Sequence, residues 1–319
     1  MKNNPVLKGY NNILEHLRDK YYQNFTRHSN VTSSYWRTIG HQSVKKKNNE
    51  YVIDGFGFGD YRSNNIINNI RAFFMSFFSY YLLKKYQCPK YLIAAGKHVA
   101  AKSGHDLSFD SIKQILSINM ILKNVGGKGD FTSNGIYTVC VIGDGYAFLS
   151  NFIKFIDPKI KVISINLGRT LFFDVMYSKL CHPTLDSVLL NHDENKNKIQ
   201  TDSEIMFIEA ENFNLLEGMQ VDLFINIASM QEMDPKVTQE YFEYIRSSTK
   251  KPCYFYCCNR SHKKLPDGTV TEFKNYPWKV SDEILLNEPC PWYQKYPSLK
   301  PPFWHKFDSP IEHKLVQIN

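Results

Sequence analysis

Five residues, Gly143-Asp144-Gly145-Tyr146-Ala147, stand between an apolar run, TVCVI, and a run of helical spacing, FLSNFIKFI. Glycines there let a strand turn sharply into a helix and leave backbone amides facing whatever lies beyond the strand. Two later apolar runs end in groups that can bind or move a proton. VDLFINIAS closes on Asn226 and Ser229, with Glu232 just behind, and PCYFYCCN ends at Asn259, with His262 following. Amides, a hydroxyl, a carboxylate and an imidazole placed after apolar runs suit orientation of a ligand and general acid–base work. Glu232 and Asp234 are two acids two residues apart, too common a pattern to define a metal site, and no metal is expected.

These residues meet only if their runs are strands of one sheet. IYTVCVIG, KVISINL, IMFIEA, VDLFINIAS and PCYFYCCN are continuous apolar runs of strand length. YAFLSNFIKFI, RTLFFDVMYSKL and PKVTQEYFEYIRSS lie among them with helical spacing. Strands without alternation, separated by helices, predict a parallel sheet buried on both faces. The last run, IEHKLVQI, alternates more and suits an edge or antiparallel strand. NHDENKNKIQTDSE reads as a polar connection.

Before Asn134 the pattern is mostly helical: NNILEHLRDKYYQNF, IINNIRAFFMSFFSYYLLKKY, and FDSIKQILSINMILKNV with a glycine stop at Gly126 and Gly127. DGFGFGDYRS, between the first two, reads as a shaped loop. The division expected is a helical region over 1–133 and an α/β domain over 134–319. Within the latter, 260–310 is rich in proline and aromatics and reads as an ordered excursion over the sheet, serving as a lid. Trp278, Trp292, Trp304 and Tyr276 in it fit either a wall of flat aromatic faces for the acceptor or a minor core. His305 reads as a surface or packing residue and His313 as structural.

The totals bound the class. A chain of 319 residues with 43% hydrophobic and 22% charged composition is that of a folded globular protein. The net charge of +8 is spread over single lysines and short runs such as Lys45 to Lys47, which reads as solvated surface and not as a nucleic-acid track. AFFMSFFSYYLL is too short to span a bilayer, and the N-terminus lacks a signal-peptide core. The seven cysteines show no metal or disulfide spacing, which fits a reduced, cytoplasmic setting.

Two cofactor classes compete for the glycine turn. A dinucleotide fingerprint needs a small residue three places after the second glycine, where Phe148 stands. The pattern GxGxG, with Ala147 as the third small residue, is that of S-adenosylmethionine sites. Asp144 argues the same way, because a carboxylate there would repel a diphosphate and tolerate a sulfonium.

The run VDLFINIASMQEMDPKVTQEYFEYI, followed by YFYCCNR, KLPDG, YPW and HKLVQI, resembles the sugar O-methyltransferase family of bacterial surface-glycan loci. The similarity covers roughly residues 136 to 319, and Asn226, Ser229, Glu232 and Met233 match the family's strand-end motif. The resemblance implies a Rossmann-like class I methyltransferase sheet and S-adenosylmethionine as cofactor. It places Gly143, Asp144, Gly145, Tyr146, Ala147, Asn166, Leu167, Asn226 and Ser229 around that cofactor. It also implies a small-molecule sugar or nucleotide-sugar acceptor for polysaccharide biosynthesis. Two positions depart from the family. Val141 stands where methyltransferases carry an acid in the first strand, and Asn166 where an acid accepts the ribose hydroxyls. An amide there can still accept one hydrogen bond and donate another.

For methyl transfer to a hydroxyl, Glu232 is the expected base, Asn259 orients the acceptor and His262 is a further candidate. The departures keep open a non-catalytic, glycan-binding or scaffolding relative. An NAD-dependent sugar-modifying enzyme is the remaining rival. An oligomer is compatible with all three.

Overall fold

The computed structural model describes residues 6–23, 32–35, 43–47, 50–54, 77–102, 106–190, 203–247, 252–297, 301 and 304–319. The chain opens with β1 (Val6–Lys8) and α1 (Tyr10–Arg18), then the hairpin β2 (Ser43–Lys47) and β3 (Glu50–Asp54). A helical stretch over 77–85 precedes α2 (Lys90–Lys102) and α3 (Phe109–Val125). An alternating series follows: β4 (Thr138–Ile142), α4 (Phe148–Ile156), β5 (Lys161–Asn166), α5 (Gly168–Cys181), β6 (Ser187–Leu190) and β7 (Ile205–Glu209). Next come β8 (Leu223–Ile227), α6 (Pro235–Ser247), β9 (Cys253–Arg260), β10 (His262–Lys264) and β11 (Val270–Glu272). The chain ends with β12 (Glu283–Pro289), β13 (Lys295–Pro297), β14 (Trp304–Lys306) and β15 (Ile311–Ile318).

Nine strands form one sheet in the order β1-β6-β7-β5-β4-β8-β9-β15-β12. Strands β6, β7, β5, β4, β8 and β9 run parallel, while β1 and β15 join antiparallel at either side and β12 pairs antiparallel with β15. The chain winds outward from β4 in both directions, through β5 on one side and β8 on the other. That reversal opens a crevice at the strands' carboxyl ends, where open α/β sheets bind ligands. The fold is a Rossmann-like α/β sheet.

The continuous apolar strands follow from a sheet covered on both faces. In β4, Val139 and Val141 pack into one core with Phe152 and Ile121, whereas Cys140 and Ile142 pack into the other with Phe224 and Tyr241. Helix α3 is buried nearly all round, its Ser111, Lys113, Gln114, Ser117 and Asn119 included. Ser108 starts it by accepting from the Ser111 amide at 3.0 Å, and Gly126 ends it.

Several expectations need correction. The excursion does not lie wholly over the sheet: within 260–310, β12 is its outermost strand. Its sequence, EILLNEP, hides the fact because an edge strand exposed along most of its length has no need of a continuous apolar run. The last strand, β15, is antiparallel as expected but lies between β9 and β12, not at an edge. Strands β1 and β6 were not legible, being three and four residues long. Through β1, which pairs with β6, and α1, which packs on α5, the region before residue 134 is built into one side of the sheet. The loop expected over DGFGFGDYRS and the first part of IINNIRAFFMSFFSYYLLKKY lie outside the described residues, apart from Asp54 at the end of β3.

The four aromatics proposed for an acceptor wall sit in cores, on different sides of the sheet. Tyr276 and Trp278 pack against Phe242, at ring separations of 6.0 and 4.9 Å. Trp292 packs edge-on to Tyr86 and His313, and Trp304 packs against Phe78 and Phe109. Burial of their large apolar area is what holds the excursion to the domain. His305 stacks on Tyr296, and His313 is fully buried with Nδ1 beside the Tyr256 hydroxyl. Among the described residues no helix is long and apolar enough to cross a membrane.

Candidate functional site

The turn after β4 is held in a backbone conformation that few sequences permit. Gly143, Gly145, Tyr146 and Ala147 all have positive φ, at 73°, 59°, 77° and 54°. Gly143 could carry no side chain even without that constraint, because a Cβ there would land on the Ser229 hydroxyl. The tips of β4 and β8 are therefore in contact. The Ser229 hydroxyl accepts from Asn226 Nδ2 at 3.0 Å and lies 3.4 Å from the Ile142 carbonyl, and Asn226 also donates to that carbonyl at 2.9 Å.

Between these tips and the end of β5 lies a cleft lined by Gly143, Gly145, Asn166, Leu167, Ser229 and Glu232. Thr170, Ala210, Met233, Val237 and Tyr241 extend it, and Ser33 of the N-terminal region closes it. It holds ≈ 60 Å³ of space that water can occupy. At ~10–15 Å³ per water on that measure, this is room for about four to six waters.

Of the nine cofactor residues expected from the sequence, five line this cleft: Gly143, Gly145, Asn166, Leu167 and Ser229. Asp144, Tyr146, Ala147 and Asn226 do not, and each has a structural reason. The Asp144 carboxylate turns inward and accepts from the Leu149 and Ser150 amides at 3.0 and 2.7 Å, capping α4. The argument that Asp144 repels a diphosphate across the site therefore needs correction. Its carboxylate instead occupies the first-turn amides a phosphate would use. Tyr146 packs on Phe173 and Tyr177, Ala147 is fully buried, and Asn226 is fully buried in hydrogen bonds.

Beneath the turn sits an acid that sequence reasoning missed. Asp174, fully buried on α5, accepts from the Tyr146 amide at 2.8 Å and from Asn166 Nδ2 at 2.9 Å. Burial, with the nearby Asp144 carboxylate, pushes its pKa up to about 8. The first strand's acid is indeed absent, Val141 being a core residue, and Asp174 ties the glycine turn to the end of β5 instead. Asn166 Oδ1 accepts from the Leu167 amide at 2.9 Å, so its amide is engaged on both atoms. An acid at the sixth place of RTLFFDV, inside an apolar helix, was the available signal.

At the other end of the cleft, Glu232 is the one charged residue in the lining among the described residues. Lys263 Nζ of β10 meets Glu232 Oε1 at 2.7 Å and stands 3.8 Å above the Tyr35 ring. Burial raises the Glu232 pKa, with Lys263 and a hydrogen bond from Tyr35 opposing it. Lys263 and Tyr35 had no role in the sequence reading. The other two catalytic candidates do not reach the cleft. Asn259 is fully buried, donating to Asn226 Oδ1 at 2.9 Å and accepting from the Gln231 amide at 3.0 Å, so it positions the backbone beside Glu232. His262 is exposed on β10, where its neighbour Lys263 faces the site.

A polar strap crosses the ends of β5 and β7. Lys20 pairs with Glu209 and Glu211, and the Tyr21 ring lies against Gly168, filling the place a side chain there would need. Comparison with known proteins adds little. No family model and no curated protein matches the chain. Solved structures similar to it include an O-methyltransferase family protein from Burkholderia thailandensis, at 10% identity and a TM-score of 0.38 over 66% of this chain and 59% of that one. The pyocyanin biosynthetic protein PhzM matches at 7% identity and a TM-score of 0.40 over 66% of this chain and 57% of that one. The N-methyltransferase NodS from Bradyrhizobium japonicum, solved with S-adenosyl-L-homocysteine, matches at 7% and 0.40 over 64% and 87%. The chain thus spans less than two thirds of the first two proteins' length.

Proposed function

We propose that this chain is an S-adenosylmethionine-dependent O-methyltransferase acting on a sugar or nucleotide sugar. One observation carries the cofactor: the glycine turn opens onto a cleft whose helix amides are already capped by Asp144 and whose one charged lining residue is the Glu232 carboxylate. That site is hostile to a diphosphate and suited to a cationic or neutral adenosyl ligand. The residues to hold it are Gly143, Gly145, Asn166, Leu167 and Ser229, with Ala210, Val237 and Tyr241 supplying apolar surface. The sugar acceptor, the role in surface polysaccharide and a cytoplasmic setting rest on the sequence resemblance.

When bound, the sulfonium supplies an activated methyl group, so the protein's work is alignment, exclusion of water and removal of one proton. Glu232 takes that proton from the attacking hydroxyl. Burial raises its pKa and so makes it a stronger base than an exposed carboxylate, with Lys263 opposing that rise. Asn259 and Gln231 fix the backbone from which Glu232 projects.

The engagement of both Asn166 side-chain atoms favours a second reading, a non-catalytic glycan-binding or scaffolding relative with a degenerate cofactor site. Incubation with methyl-tritiated S-adenosylmethionine and a panel of sugars and nucleotide sugars separates the two. Label entering an acceptor, and falling by about 10²–10⁴ in Glu232→Gln, supports the enzyme. No binding of S-adenosylmethionine and no label in any acceptor supports the second reading.

A further inference from the structure

Among the described residues, the N-terminal region reaches the cleft at Ser33, within the stretch Thr32-Ser33-Ser34-Tyr35. Ser33 lines the cavity, is 2% exposed, and its hydroxyl has no hydrogen-bond partner among the described residues. An orphaned hydroxyl inside a protein costs free energy, and a ligand atom that bonds to it recovers that cost. The neighbours of Ser33 are anchored. The Asp267 amide lies 3.4 Å from the Ser34 hydroxyl, and the Tyr35 ring is clamped under Lys263, which also holds Glu232. The segment is thus pinned to the turn and strand of the β10–β11 hairpin immediately after the group left unsatisfied.

We propose that residues 32–35 form a cover of the cleft and that the Ser33 hydroxyl is a ligand-binding group, hydrogen-bonding a polar atom of the bound nucleoside or of its amino-acid tail. This rests on the adenosyl reading above. The ion pair of Glu232 and Lys263, with Tyr35 stacked on it, is the latch that seats the cover.

The test is calorimetric titration of the full chain and its Ser33→Ala variant with S-adenosylhomocysteine and with methylthioadenosine, which lacks the amino-acid tail. The wild-type chain binds, and the variant binds about five- to tenfold more weakly, with an unchanged or slightly higher melting temperature in the free state. Loss with both ligands assigns Ser33 to the nucleoside, and loss with S-adenosylhomocysteine alone assigns it to the tail. Equal affinities of variant and wild type overturn the role of Ser33 and leave the adenosyl reading standing. If the wild-type chain binds neither ligand, the adenosyl reading fails and this inference with it.

Discussion

At the residue scale the site depends on a few positions where chemistry and geometry allow little choice. Gly143 is one: it needs a left-handed backbone, and the space a side chain would take holds the Ser229 hydroxyl. Gly143→Ala should therefore destabilise the fold by about 1–3 kcal/mol and abolish ligand binding, read by thermal melting and titration. Asp174 is another. Its folded pKa of about 8 lies above the ordinary carboxylate value, so the folded chain holds a proton that the unfolded chain releases. Stability from this group is complete below about pH 4 and declines as pH rises through about 8. Melting temperatures should fall across that window, and Asp174→Asn should flatten the fall; an unchanged slope would exclude Asp174 as its source. The glycine turn and Glu232 were legible because their residue types are diagnostic after an apolar run. Asp174, Lys263 and Ser33 were not, because they meet the turn, Glu232 and the cleft from elements whose own sequence carries no such pattern.

At the element scale, close packing decides where elements sit. Helices α2 and α3 meet at Gly96, where an added Cβ would run into the end of the Ile115 side chain. Gly96→Ala should cost about 1–3 kcal/mol through overpacking, and Ile115→Val should recover part of that loss, a coupling a double-mutant cycle would measure. Additive effects would mean that the helices do not pack through this pair. The helices and central strands were legible because burial on both faces imposes long apolar runs, as in TVCVI and VISI. Strands β1, β6 and β12 escaped notice for the opposite reason. Two are too short to show a period, and the third is largely exposed. The aromatics of 260–310 misled as a candidate wall, since flat rings serve a core as readily as a sugar face.

For the whole molecule, the winding order from β4 outward is what turns separated motifs into one cleft. It brings Gly143 against Ser229 across 86 positions of chain, and it sets Asn166 beside Glu209 in register. Sequence spacing alone could not reveal that the N-terminal region contributes as well, through Ser33 to the cleft and through Lys20 and Tyr21 to its border. The central claim is that this cleft takes an adenosyl sulfonium and not a dinucleotide. Titration of the intact chain with S-adenosylhomocysteine, alone and then against excess NAD, tests it most directly. Saturable one-to-one binding that NAD leaves undisturbed is the predicted result. Tight binding of NAD with no heat from S-adenosylhomocysteine at millimolar concentration would contradict it.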